Sequence, residues 1–342
     1  MKQFNFAEDV VSTEITVTDG FGDGGVGILQ GSSFSTSSLS LAQKQYYYNL
    51  QYNSKDHISV SYGHIGGSGS QEQSTTIQGT TKAVYGQFYS LLETDRSKLK
   101  ANEGFTINSV VNPDAYFLVA ERLQMKDRLN PGTWTLSLSG SNSAGTATTL
   151  NLTDNSKTTD ASAAPFGERY SIQVGSAGTV TDTTEHGFFY PDAGIMVLGA
   201  TQMSASLPGT PGSVISGSGN VVSKGTGLTP DLRVTDAADN ANKLALAIQK
   251  GSLTLRSEEK QFIYDYFCRA KANEFNYSQN LTFWSGSQYD IRHTDMISNP
   301  QVYITEVGLF DDQGELMAIG RLSSALEKNF SSEAIIKVRL TY

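Results

Sequence analysis

Polar and apolar positions alternate at several places in the first 65 residues. Glu14, Thr16 and Thr18 stand against Ile15 and Val17, and Ile58, Val60 and Tyr62 share one side of a later run. A two-residue period lays one side of an extended chain on a core. Residues 45–65 therefore predict a β-hairpin turning at Asn53-Ser-Lys-Asp56. The period changes over 81–93, where Val84, Tyr85, Phe88, Leu91 and Leu92 follow helical spacing and predict a helix packed on the sheet. Strands are expected at 115–120 and 133–139. Between them lie the charged stretch Arg122–Arg128 and the turn Leu129-Asn-Pro-Gly132, whose Pro-Gly pair suits a type II turn. The Ser-, Thr-, Asn- and Ala-rich residues 140–165 predict a flexible excursion or loop. The run Phe188–Leu198 predicts one strand on each side of Pro191-Asp-Ala-Gly194.

The last third brings helical signals and then strands. Asp236 is placed to cap a helix through Lys250, with Leu244, Ala247 and Ile248 on one face and Gly251 as its stop. A second helix is predicted from Ser257, with Glu258 and Glu259 in the first turn and Phe262, Ile263, Tyr266, Phe267 and Ala270 as its apolar set. Cys268 falls in that stretch and reads as a small core residue. Strands follow at 302–310, 315–321 and 334–340, the first two joined by the turn Asp311-Asp-Gln-Gly314. No fixed-period repeat appears, which excludes a solenoid or propeller. The expected fold is mainly β with a few helices (α+β): antiparallel, sandwich-like sheets, an extended N-terminal arm and long Gly/Ser/Thr-rich loops. The expected division is an arm at 1–35, a β-rich domain with one packed helix at 36–203, a linker or long loop at 204–230, and an α+β domain at 231–342 ending in a hairpin and a final strand.

Composition fits a folded chain. The 342 residues include 33 Gly, 40 Ser and 32 Thr, and charged residues make up only 17%. Disordered chains pair low hydrophobicity with high charge and few aromatics, whereas this one has 16 Tyr, 16 Phe and 2 Trp. A net charge of −9 without any concentrated basic run argues against nucleic acid as the main partner. One cysteine forbids an intrachain disulfide. Glu8 and Asp9 interrupt the position where a signal peptide needs an apolar core, and no apolar run approaches the 18 or so residues that span a bilayer. A soluble chain with no secretion signal and no membrane partner is expected.

Candidate chemistry is sparse. His57, His64, His186 and His293 are the four histidines, and none has the spacing of a zinc site such as H-E-x-x-H. Glu185-His186 is an adjacent acid and base, yet no nucleophile elbow accompanies it. Asp311 and Asp312 could be the paired carboxylates of a glycosidase, but Asp is also a favoured turn residue. Tyr46-Tyr47-Tyr48 and Phe283-Trp284 could stack sugars, although successive strand residues point to opposite sides. Arg122, Lys126 and Arg128 are interleaved with Glu121 and Asp127, the pattern of a mixed-charge surface. The Gly-rich run Gly20–Gly27 lacks the strand–helix context of a phosphate loop. No catalytic, cofactor-binding or metal-binding residue is assigned, no cofactor is expected, and the chain does not read as an enzyme.

The segment 299–322, with Ile304-Thr-Glu-Val-Gly-Leu-Phe-Asp311 at its centre and Gly314-Glu-Leu-Met-Ala-Ile319 after it, resembles the I-T-E-I-G-L-Y-D-x-x-G-E-L-x-A-V hairpin of tail- and baseplate-associated bacteriophage proteins. Three further pieces are similar to virion structural proteins of contractile-tailed, T4-like phages, including cyanophages. They are Tyr48–Tyr52 with Val60–His64, the run Arg122–Trp134, and Phe189–Ile195. The resemblance implies a structural subunit of a phage tail, in the baseplate region, located in the virion and in the host cytoplasm during assembly. Its implied partners are other virion proteins and copies of itself. A neck, collar or tail-fibre connector subunit is the alternative within the structural class, and a receptor- or glycan-binding β-domain the alternative outside it.

Overall fold

A computed structural model describes residues 3–21, 27–30, 34–36, 47–69, 79–100, 103–209, 232–234, 240–278, 280–288 and 290–342. Strand makes up 52% of the described residues and helix 16%, so the mainly β, antiparallel class expected above is the one observed. The chain divides into two compact units, residues 17–259 and residues 1–16 with 260–342.

The larger unit is built on one antiparallel sheet. Its strands run in the order Ser252–Ala270 (through Glu259 in this unit), Thr135–Ser141, Ala147–Asp154, Gly167–Ser176, Thr179–Tyr190, Ile195–Gly199, Asp114–Ala120, Lys55–His64, Tyr47–Tyr52 and Phe34–Thr36. The central strands are buried on both sides, which is why they read as nearly unbroken apolar runs. In Asp114–Ala120, Tyr116, Leu118 and Ala120 enter one core with Trp134, Leu136, Leu138 and the helix Asn240–Lys250. Ala115 and Phe117 enter a second core with the helix Thr80–Leu92, Phe105, Ile107 and Val197. Alternation thus sorts a single strand between two cores. Gly63 permits the second core to close, since a Cβ there would stand 2.8 Å from the Tyr85 backbone nitrogen.

Several local expectations are met. Tyr47–Tyr52 and Lys55–His64 form the hairpin, with Asn53 and Ser54 at positive φ in its turn. Gly132 takes φ 72°, as the type II turn requires. The Gly251 N–H closes the helix Asn240–Lys250 on the Ala247 and Ile248 carbonyls.

Others are corrected. The helix predicted from Ser257 is instead part of the strand Ser252–Ala270. Phe262, Ile263, Tyr264, Tyr266 and Phe267 are aromatic or β-branched residues that favour a pleated surface. Glu258 and Glu259 reach across strands to Arg128 and Lys126 instead of flanking a helix start. Cys268 is half-buried on that strand. Residues 140–165 contain the strands Ala147–Asp154 and Ser162–Ala164, because Thr-rich sequence propagates the ladder from Leu136↔Leu152 to Ser141↔Ala147. On the helix Thr80–Leu92 the buried stripe is Tyr85, Tyr89 and Leu92, while Leu91 is exposed. The helix Ala200–Ser206 was not signalled. Residues 22–26, 31–33, 37–46, 70–78, 210–231 and 235–239 lie outside the described residues, and with them most of the Gly20–Gly27 run, most of the expected 204–230 linker and the proposed Asp236 cap, while residues 204–206 of that linker are helical.

In the smaller unit, residues 263–270 pair antiparallel with Ala334–Thr341, from Ile263↔Thr341 to Ala270↔Ala334. Phe4 meets Tyr266 at 5.7 Å and Glu14 pairs with Lys260 at 2.8 Å, so the first residues of the chain belong with the last. The strands Gln301–Phe310 and Leu316–Asn329 form a separate two-stranded ribbon. Its packed side meets the neighbouring strand at Gly320, where a Cβ would lie 3.3 Å from a Val338 methyl.

Candidate assembly surface

Most of the sequence-derived site candidates are in structural settings. His57 is buried, its Nδ1 2.9 Å from the Lys55 carbonyl and its ring edge-on to Phe21 and Tyr52. His64, seven residues along the same strand, accepts the Gly66 N–H at 2.9 Å. Glu185 and His186 are strand neighbours that point to opposite sides. Glu185 accepts from the Ser171 hydroxyl at 2.6 Å and the Asn108 N–H at 3.2 Å. His186 is buried between the Thr184 carbonyl and the Ser206 hydroxyl, each 3.0 Å away, and that burial holds its pKa below the ordinary imidazole value. His293 is exposed. Among the described residues no group of three or more His, Cys, Asp and Glu could hold a metal ion.

The remaining candidates fare similarly. Asp311 Oδ1 accepts the Gln313 and Glu315 N–H groups at 2.9 and 2.7 Å, so this carboxylate closes the hairpin turn. Tyr48 is buried, and Tyr46 lies outside the described residues. Phe283 and Trp284 meet at 81° and Tyr277 meets Trp284 at 71°, edge-to-face arrangements that offer no flat stacking platform. Arg122 donates to the Asp127 carbonyl at 2.8 Å, Lys126 pairs with Asp19 and Glu259, and Arg128 with Glu258, Glu168 and Asp192. Lys126 and Arg128 thus spend their charge on neighbouring carboxylates, the pattern of a mixed-charge surface.

What stands out is how little the smaller unit buries. Among its described residues the buried hydrophobic side chains are Ala270, Leu309 and Ala334 alone. Tyr303, Phe310, Leu316, Met317, Ile319, Phe330, Ile335 and Tyr342 are all exposed, Met317 at 64%. The ribbon explains the arrangement. Val302, Ile304, Val307 and Leu309 form the shielded side, and Tyr303, Gly308 and Phe310 the open one. The phase of alternation changes at Thr305–Glu306, where the four residues 322–325 stand opposite Thr305 alone. On the open side Gly308 faces Ile319 and Phe310 faces Leu316. The Phe310 ring and the Leu316 methyl would lie 3.0 and 3.2 Å from a Cβ at Gly308 and so cover that position. Isolated two-stranded ribbons are marginal in water, and contiguous exposed apolar patches mark interaction sites.

Two polar devices stiffen this unit. Lys328 is fully buried and its Nζ donates to the Ala272 carbonyl, the Asn276 side-chain oxygen and the Asn329 carbonyl at 3.0, 2.8 and 2.9 Å, which uses all three of its donors. Asp265 receives a bidentate bond from Arg339 and a 2.7 Å ion pair from Lys337, and these hold its carboxyl well below the usual range.

Comparison with protein-family models, curated proteins and solved structures gives no match in any of the three. No helix among the described residues is long and apolar enough to cross a membrane. Sequence reasoning missed Lys328, which nothing in its neighbourhood distinguishes from a surface lysine. It placed the hairpin without foreseeing that the unit's apolar residues stay open, although the dense run Leu316-Met-Ala-Ile319 carried the signal.

Proposed function

We propose that this chain is a structural subunit of a bacteriophage tail, in the baseplate region, acting through protein–protein contacts. The observation that carries the reading is the open apolar side of the Gln301–Phe310 and Leu316–Asn329 ribbon, in a unit that buries three hydrophobic side chains among its described residues. A monomer would leave Phe310, Leu316, Met317 and Ile319 in water, at roughly 25 cal/mol per Å² of apolar surface; a neighbouring subunit would cover them. The same hairpin holds the residues that resemble phage tail and baseplate proteins. Each is explained by hairpin geometry: Thr305-Glu306 at the irregularity, Gly308 beneath Phe310, and Asp311 with Gly314 in the turn.

A cryo-electron-microscopy map of the intact particle tests this reading. Density for the chain at a repeated position at a tail end, with the ribbon against another subunit, is the expected result. A chain absent from the particle would overturn it. A position at the neck or on a fibre would move the subunit within the structural class.

A further inference from the structure

The Gln301–Phe310 strand has an open edge. Its ribbon is hydrogen-bonded to no third strand among the described residues. Natural proteins protect such edges with Lys, Pro, bulges or inward charges. The outer strand Ala334–Thr341 of the same unit follows that rule with Lys337 and Arg339, and the partner strand Leu316–Asn329 follows it with Arg321 and the irregularity at 322–325. Gln301–Phe310 has no Lys, Arg or Pro, and its one charge, Glu306, is paired with Arg321 across the ribbon at 3.4 Å. Only the change of phase at Thr305–Glu306 interrupts this edge, which leaves it suited to being paired.

The residue pattern selects the partner. Around the point between Thr305 and Glu306 the strand is a palindrome in polarity from Val302 to Leu309, with Gln301 and Phe310 outside it. Val302 and Ile304 on one side correspond to Leu309 and Val307 on the other, and all four lie on the shielded side. The change of phase at Thr305–Glu306 falls on the centre of the palindrome, so two antiparallel copies would change phase together. In that register Val302 faces Leu309, Ile304 faces Val307 and Tyr303 faces Gly308 of the other copy. Each Glu306 faces an uncharged Thr305, so no like charges are opposed.

We propose that Gln301–Phe310 pairs antiparallel with the same strand of a second copy of this chain, about a two-fold axis between Thr305 and Glu306. The pairing rests on the assembly reading above and names one of its partners. It turns two marginal ribbons into a four-stranded sheet, past the three strands that independent stability needs, and it is isologous, as two-fold contacts are.

Sedimentation velocity of the full chain at micromolar concentration tests it, with variants at position 305. The wild type is expected to form a dimer. Thr305→Glu sets a carboxylate against Glu306 twice and should weaken the dimer by about ten-fold. Thr305→Lys should strengthen it, and salt at about 1 M should shrink both effects. Circular dichroism and melting temperature confirm that each variant is folded, and the opposite signs expected for Glu and Lys cannot arise from misfolding. A monomeric wild type, or a dimer indifferent to the charge at 305, overturns the self-pairing. If such a chain is still found at a repeated tail position, the edge belongs to a different protein and the assembly reading stands.

Discussion

Tyr85→Phe removes one oxygen from the second core of the larger unit, and the structure sets the size of the effect. The Tyr85 hydroxyl accepts the Phe105 N–H at 2.9 Å and donates to the Asn112 carbonyl at 2.6 Å, and all three residues are buried. The substitution leaves a donor and an acceptor without partners. A buried polar group left unsatisfied costs about 1–3 kcal/mol, and the apolar ring that remains recovers part of the sum. A net loss of about 3 kcal/mol is expected. With a urea dependence of about 3 kcal/mol per M for a unit of this size, the unfolding midpoint should fall by about 1 M. Gly104→Ala provides an independent route to the same bonds, because its Cβ would lie 1.8 Å from the Tyr85 oxygen and 2.7 Å from the Asn112 carbonyl. Both variants lose the same bonds, so their combination should cost clearly less than the two added. A midpoint shift under about 0.3 M for Tyr85→Phe, or strict additivity with Gly104→Ala, would refute the bridging role.

Three further outcomes follow from the geometry. Burial depresses the His186 pKa, so as pH falls below about 6.5 the unfolded chain takes up a proton that the folded chain refuses; stability should drop by up to about 1.4 kcal/mol per pH unit from this group, and His186→Gln should flatten the melting-temperature profile between about pH 7 and 5. Lys328→Met strips three acceptors of their donor and should lower stability by about 3 kcal/mol in chemical denaturation, with a loss under about 1 kcal/mol counting against the anchor. Met317→Lys and Ile319→Lys alter exposed side chains and should leave melting within about 0.5 kcal/mol of wild type while preventing incorporation into particles; normal incorporation would show that this side of the ribbon is not a contact.

Where local pattern and tertiary demand agree, the sequence was legible. Ile58, Val60 and Tyr62 alternate because one side of their strand lines a core, and Leu244, Ala247 and Ile248 keep helical spacing because the helix they form is packed on that core. The segment after Ser257 misled because seven consecutive residues, Phe262 to Cys268, are apolar or aromatic apart from Asp265 and satisfy either period. Its pairing with residues 334–341, some 70 positions away, settles the strand, and no local window contains that partner. The same distance hides the exposed apolar side of the ribbon. Exposure of Met317 and Ile319 depends on what fails to pack against them, which is a property of the whole unit. The candidate residues for chemistry were legible as isolated side chains, and the bonds that occupy them, such as Ser171 to Glu185 and Ser206 to His186, come from other strands and helices.

The smaller unit is assembled from the first 16 residues and from 260 onward, with the larger unit between. A ribosome adding about 5–20 residues per second completes residues 17–259 before Ala334–Thr341 exists to pair with residues 263–270. The open ribbon is therefore made after the larger unit. Its neighbours meet it only when the larger unit has had seconds to fold, so a nascent chain has little sticky surface to offer prematurely. The order of segments works as a timer, keeping the ribbon's exposed apolar side chains out of the chain until the larger unit has been synthesised.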